Sequence, residues 1–157
     1  MRKKKLIGLY ILMSFGIAII ANASALPADG GDPGKAYKAC IDSVAKPDKA
    51  KMLQLCFAKD DPWLKEKNLG YFTDSTFQVE VRLEWPALRL IEAKISGGKI
   101  DGDTADIFVE GTMILQRLEP TDEIVEVDRY KVKGSVKMRR TNGVWIYAGE
   151  QNLEKVQ

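Results

Sequence analysis

No histidine occurs among the 157 residues. Its absence removes Ser-His-Asp and Cys-His catalysis, imidazole acid–base chemistry and nearly all of the usual catalytic zinc sites. Cysteine is scarce, with two residues: too few for a structural zinc site, and without the Cys-x-x-Cys spacing of a redox pair. Charge of one sign is lacking too, since 24 basic residues face 22 acidic ones. The small excess is local. Arg2, Lys3, Lys4 and Lys5 precede the first acidic residue, Asp29, and setting those four aside leaves 20 basic against 22 acidic residues. That balance argues against a general nucleic-acid binder. Internal repeats and low-complexity tracts are missing. What remains, 45% hydrophobic and 29% charged, suits one globular domain with a sizeable core.

The chain opens as an export signal. Met1–Lys5 is a positive n-region and Leu6–Ile20 an apolar run. Ala21-Asn22-Ala23-Ser24-Ala25 supplies the small residues of a cleavage site, preferably after Ala25 and alternatively after Ala23. The apolar run is short of the ~20 residues that a spanning helix needs, so no stable membrane insertion is expected after cleavage. No cysteine follows it to carry a lipid anchor. Residues 1–25 are therefore read as a signal peptide bound for the periplasm or the medium. Residues 26–34, rich in Pro, Gly and Asp, are read as a flexible leader, and residues 35–157 as a single domain.

Three helices are expected first. Asp32-Pro33 opens one in which Tyr37, Cys40, Ile41 and Val44 share a face. Asp48 caps a second over Lys49–Ala58, and Asp61-Pro62 starts a short third over Trp63–Leu69. The period then changes to two. Phe77, Val79, Val81, Leu83 and Trp85 alternate with polar residues, which predicts a half-buried strand ending at Pro86. Further strands are expected over Leu88–Ser96, Thr104–Arg117, Ile124–Arg140 and Val144–Glu150. Turns are expected at Gly97-Gly98 and Asp101-Gly102, and a hairpin at Asn142-Gly143. Helices followed by a strand meander give an α+β fold: N-terminal helices on an antiparallel sheet.

Two segments carry a family resemblance: Gly97–Gly111, with Gly-Asp-Thr-Ala at 102–105 opening a strand, and Gly134–Trp145, ending in Asn-Gly-Val-Trp. Together they resemble the nuclear transport factor 2-like (cystatin-like) superfamily, and among it the small exported bacterial lumazine-binding-like members or members of unknown function. The resemblance implies a cone-shaped fold in which helices pack into the concave face of a curved sheet. It does not settle function, because the superfamily hosts enzymes, adaptors and binders.

Candidate chemistry is sparse. Cys40 and Cys56 lie eight residues either side of the turn at Asp48, and in an oxidising compartment they are read as a disulfide; two buried thiols are the alternative. Arg129, Lys131, Lys133, Lys137 and Arg139 have the same parity and project from one strand face. They are a candidate docking surface for an anionic partner, or a solvated face compensated by Asp106 and Glu110. Asp101, Asp103 and Asp106 fail the calcium-loop spacing because Ala105 stands at the fifth position. Asp74 near Tyr71 is the one carboxylate–tyrosine pair to weigh as a base and polarising group of an isomerase or cyclase, provided Asp74 is buried. No catalytic residue, metal or cofactor is assigned. The expectation is an exported binding or interaction domain for an unknown small ligand or envelope protein. The alternative is an envelope adaptor or inhibitor (immunity) protein docking through the basic row.

Overall fold

The computed structural model describes residues 23–119, Thr121 and residues 123–156. Of the expected signal peptide, residues 1–25, residues 1–22 lie outside them. Within them the element order is β1 (Ser24–Leu26), α1 (Gly31–Ala45), α2 (Lys49–Cys56), α3 (Pro62–Glu66), α4 (Asp74–Glu84), β2 (Leu90–Asp101), β3 (Thr104–Leu118), β4 (Ile124–Thr141) and β5 (Val144–Lys155). Two 3-10 turns, Leu69–Tyr71 and Pro86–Arg89, flank α4. The five strands form one antiparallel sheet in sequence order, and α1 lies across the inner face of β2, β3, β4 and β5. The architecture is α+β.

The helix starts follow the expected chemistry. Asp48 caps α2, its carboxylate accepting from the Lys51 amide at 3.1 Å. Asp61 caps α3 by accepting from the Trp63 amide at 2.9 Å. Helix α1 begins at Gly31, one residue before Asp32-Pro33, because Gly30 takes the left-handed conformation (φ 74°) and the Asp29 carboxylate accepts from the Gly31 amide. Tyr37, Cys40, Ile41 and Val44 are all buried, each adding roughly 1.5–3 kcal/mol for an aliphatic or aromatic side chain of that size. Leu26–Gly34, read as a leader, holds the end of β1, a turn and the first turn of α1.

The segment expected as a strand, Phe77–Trp85, is helix α4. Thr73 caps it, its hydroxyl accepting from the Thr76 amide, and Phe77 and Val81 enter the core one turn apart. The helical period was masked because two polar residues, Gln78 and Arg82, are buried beside them. Their polar ends are used: Gln78 Nε2 donates to Val44 O at 2.6 Å and Arg82 Nη2 donates to the same carbonyl at 3.4 Å. They thus satisfy the open C-terminal carbonyls of α1.

Gly97-Gly98 is not a turn between strands. Both residues lie within β2, at one of two register shifts that give this strand extra residues against β3. Paired glycines serve a bulge as well as a turn, and bulges bend the strand. A further irregularity lies in β5, between the partners of Val136 and Met138, where Gly149 has φ 78°. The expected hairpin at Asn142-Gly143 is present, with positive φ at both residues, as a tight β4–β5 connection requires.

Candidate functional site

One end of the interior is filled. Cys40 in α1 and Cys56 at the end of α2 form a buried disulfide with Cα atoms 5.0 Å apart. Beside it Phe57, Trp63, Phe77 and Trp85 form an aromatic cluster, with ring centroids 4.4 Å apart for Trp63–Trp85 and 4.9 Å for Phe57–Trp85. Trp145 is buried in the same core, with the Arg140 guanidinium 5.4 Å over its ring. These rings are packing, although Phe57 also borders a separate depression with Gln54, Val144 and Ile146.

The other end is open. A cavity of 640 Å³ lies where Pro86, Met113, Tyr130, Val132 and Leu153 converge with Gln151, Asn152 and Lys155. The bulge at Gly149 shifts β5 so that Gln151, Leu153 and Lys155 stand opposite Val136, Gly134 and Val132. Gly134 permits that close pairing: a Cβ there would sit 1.9 Å from Asn152 O. A concave site of this volume can hold a small molecule, and its exposed lining is more polar than apolar.

Its polar groups are oriented from behind. The Ala87 amide donates to Gln151 Oε1 at 2.8 Å and the Tyr147 hydroxyl donates to the same oxygen at 2.6 Å. An amide N–H can only donate, so the oxygen of Gln151 is identified by its partner. Its Nε2 hydrogens are left without a protein acceptor among the described residues. Tyr37 is locked alongside, its hydroxyl donating to Ala87 O at 2.8 Å. Burial raises the pKa of Tyr37 and of Tyr147 well above the ordinary tyrosine value, so both phenols are neutral donors.

The electrostatics are one-sided. Lys155 Nζ sits 4.7 Å over the Tyr130 ring, a cation–π arrangement. Arg89, in the 3-10 turn that also carries Pro86, donates from Nη2 to Leu83 O at 3.0 Å and from Nε to Arg82 O. Arg82 donates from Nη1 to Gln116 Oε1 at 2.5 Å, while its buried Nε has no partner. Burial lowers the pKa of Arg82, helped by the neighbouring charge of Arg89, and burial also lowers that of Arg89. Among the described residues neither arginine nor Lys155 forms an ion pair, and no carboxylate lines the cavity.

The basic row lies on the opposite, outer face, and it is largely answered by acids. Arg129 Nε meets Glu126 at 2.7 Å, Lys131 Nζ meets Glu92 at 3.1 Å, and Lys137 Nζ meets Glu150 at 2.5 Å. Lys133 stands in register between Glu110 and Glu154, and Asp106 stands opposite Lys137. Hydrogen bonding to these carboxylates raises the pKa of Arg129 and Lys137, and hydrogen bonding to the cations lowers Glu126 and Glu92. Arg139 is exposed at the end of the row.

No family model matches the chain, and no curated protein is similar to it. Among solved structures, a nuclear transport factor 2-like family protein from Streptomyces avermitilis is similar at 15% identity and a TM-score of 0.45, over 82% of this chain and 96% of that one.

The remaining sequence candidates are dispersed. Asp74 is exposed in the first turn of α4, and Tyr71 is 85% exposed, so they share no cavity. Asp101 ends β2, Asp103 accepts from Arg140 Nε at 2.7 Å, and Asp106 faces outward with the basic row. The cavity residues Gln151, Leu153 and Lys155 were missed because the last strand was expected to end at Glu150. The alternation Gln-x-Leu-x-Lys after Gly149 was the available signal, and a bulge rather than an end explains the glycine.

Proposed function

We propose that this chain is an exported, non-enzymatic domain that binds a small molecule in the concave cavity between the 3-10 turn at Pro86 and strands β3, β4 and β5. One observation carries the reading: an open cavity of 640 Å³, with both polar and apolar lining, whose Gln151 is held in place by the Ala87 amide and the Tyr147 hydroxyl. Groups fixed in this way before a ligand arrives lower the cost of binding. No carboxylate lines the cavity to act as a general base, which favours binding over turnover. Export rests on the three-part signal at residues 1–25, and placement among the small exported lumazine-binding-like members rests on the Gly97–Gly111 and Gly134–Trp145 motifs. The rival surface, the outer basic row, offers an anionic protein less, since Arg129, Lys131 and Lys137 each already hold a carboxylate.

The experiment is native mass spectrometry of the protein taken gently from its own host. A co-purifying small mass, displaced when Leu153→Trp fills the cavity, is the expected result. A stoichiometric protein partner lost on charge reversal at Lys131 and Lys133, with no small mass, would move the function to the outer face.

A further inference from the structure

The proposed cavity has a chemical bias that its volume does not reveal. Two of the polar side chains that line it, Gln151 and Lys155, offer donors. Gln151 has committed its oxygen to Ala87 and Tyr147, so only its N–H groups are available. Lys155 has three N–H donors over the Tyr130 ring and no carboxylate within ion-pair distance among the described residues. In α4 and in the 3-10 turn that carries Pro86, Arg82 and Arg89 add two guanidinium groups bound to carbonyls and an amide oxygen rather than to acids. Arg82 is 8% exposed and its Nε lacks any acceptor. A buried cation normally has a paired anion. Carbonyl oxygens do not neutralise these charges. The contrast with the outer face is sharp, because there the same sheet sets a carboxylate beside three of five cations.

We infer that the ligand of this cavity is a small amphipathic anion: an apolar body against Pro86, Met113 and Leu153, and an acidic head, such as a carboxylate, accepting hydrogen bonds from Lys155 Nζ and Gln151 Nε2. The inference rests on the binding function proposed above and names the chemistry of that site. Neutral ligands of the same shape gain the apolar contacts and leave the donors unanswered. Cationic ligands meet the charge of Lys155.

Two fluorescent probes separate the parts of this claim: anilinonaphthalene sulfonate, which is anionic, and phenylnaphthylamine, the same ring system without the acid. Both are titrated into the folded, disulfide-bonded chain. The sulfonate is expected to bind at one site and more tightly than the neutral probe. Lys155→Gln, an exposed position that leaves the core untouched, is expected to weaken the sulfonate about three- to fivefold, the size of a partly exposed charge contact, without moving the neutral probe. Raising salt is expected to act in the same direction. Equal binding of the two probes, or a sulfonate affinity indifferent to Lys155→Gln, overturns the anionic class while leaving the cavity in place. If neither probe binds, or if Leu153→Trp leaves both affinities unchanged, the cavity reading falls as well.

Discussion

Ala87 and Gln151 are 64 residues apart in sequence and joined by a single 2.8 Å hydrogen bond from backbone amide to side-chain oxygen. That bond ties the 3-10 turn preceding β2 to the last strand, and Tyr147 completes it by donating to the same oxygen. Gln151→Leu should leave the Ala87 amide and the Tyr147 hydroxyl without partners, at a cost of about 1–3 kcal/mol for each group that stays buried. Gln151→Glu keeps the acceptor and should cost less, while its added negative charge should weaken an anionic probe. Urea unfolding curves of the two variants give the comparison.

The Cys40–Cys56 bond closes a loop of 16 residues. Loops of that size are worth about 3 kcal/mol through restriction of the unfolded chain. Reduction, or Cys40→Ala with Cys56→Ala, should lower the melting temperature by an amount matching that figure while far-UV circular dichroism keeps its helix and strand signals. Intact mass should show the oxidised chain two hydrogens lighter than the reduced one.

Alkaline stability should fall. Tyr37 and Tyr147 have folded-state pKa values raised by burial, so above the ordinary tyrosine value near 10 the folded chain holds protons that the unfolded chain has released. Their contribution is complete below about pH 10 and is lost as pH rises from there toward the folded values. Phenolate absorbance should show Tyr37 and Tyr147 ionising only with unfolding. Tyr37→Phe with Tyr147→Phe should flatten the alkaline slope.

Helix α4 can be tested at its cap. Thr73→Ala removes the acceptor for the Thr76 amide and should cost about 1 kcal/mol, whereas Thr73→Asp should cost little. A strand over the same residues would be indifferent to both. Gln78→Leu should cost more than Leu83→Ser, because Gln78 serves the Val44 carbonyl while Leu83 is 50% exposed.

The two candidate cleavage positions differ structurally. A chain beginning at Ser24 keeps the pairings of Ser24, Ala25 and Leu26 with Ile100, Lys99 and Gly98; one beginning at Leu26 keeps only the last. The first should melt at the higher temperature in paired thermal scans.

Much of the fold could be read from local chemistry. Asp48 and Asp61 announced their helices, the apolar stripe of α1 was regular, and Asn142-Gly143 marked its hairpin. The disulfide followed from two cysteines placed symmetrically about a turn. Where reading failed, the missing information was tertiary. Gln78 and Arg82 look like an exposed strand face until α1 supplies Val44 O for them to bind. The β5 extension was hidden because Gly149 resembles an end. The donors of the cavity become legible only once the oxygen of Gln151 is seen to be spent on a residue from another element. The basic row and the β3 acids opposite it, Asp106 and Glu110, were plain in the sequence, while the carboxylates that form its ion pairs, Glu92, Glu150 and Glu126, come from β2, β5 and the start of β4.

The strands follow one another along the sheet without a crossover, except that β1 reaches β2 only after all four helices have intervened. The hairpins β2–β3, β3–β4 and β4–β5 are closed by short connections and can form early. The β1–β2 contact closes a long loop for three residues of pairing, so it gains least and should form last and open first. Amide protons at the Gly98–Ile100 edge should therefore exchange by local fraying, well ahead of those shared by β3 and β4, which should wait for global unfolding.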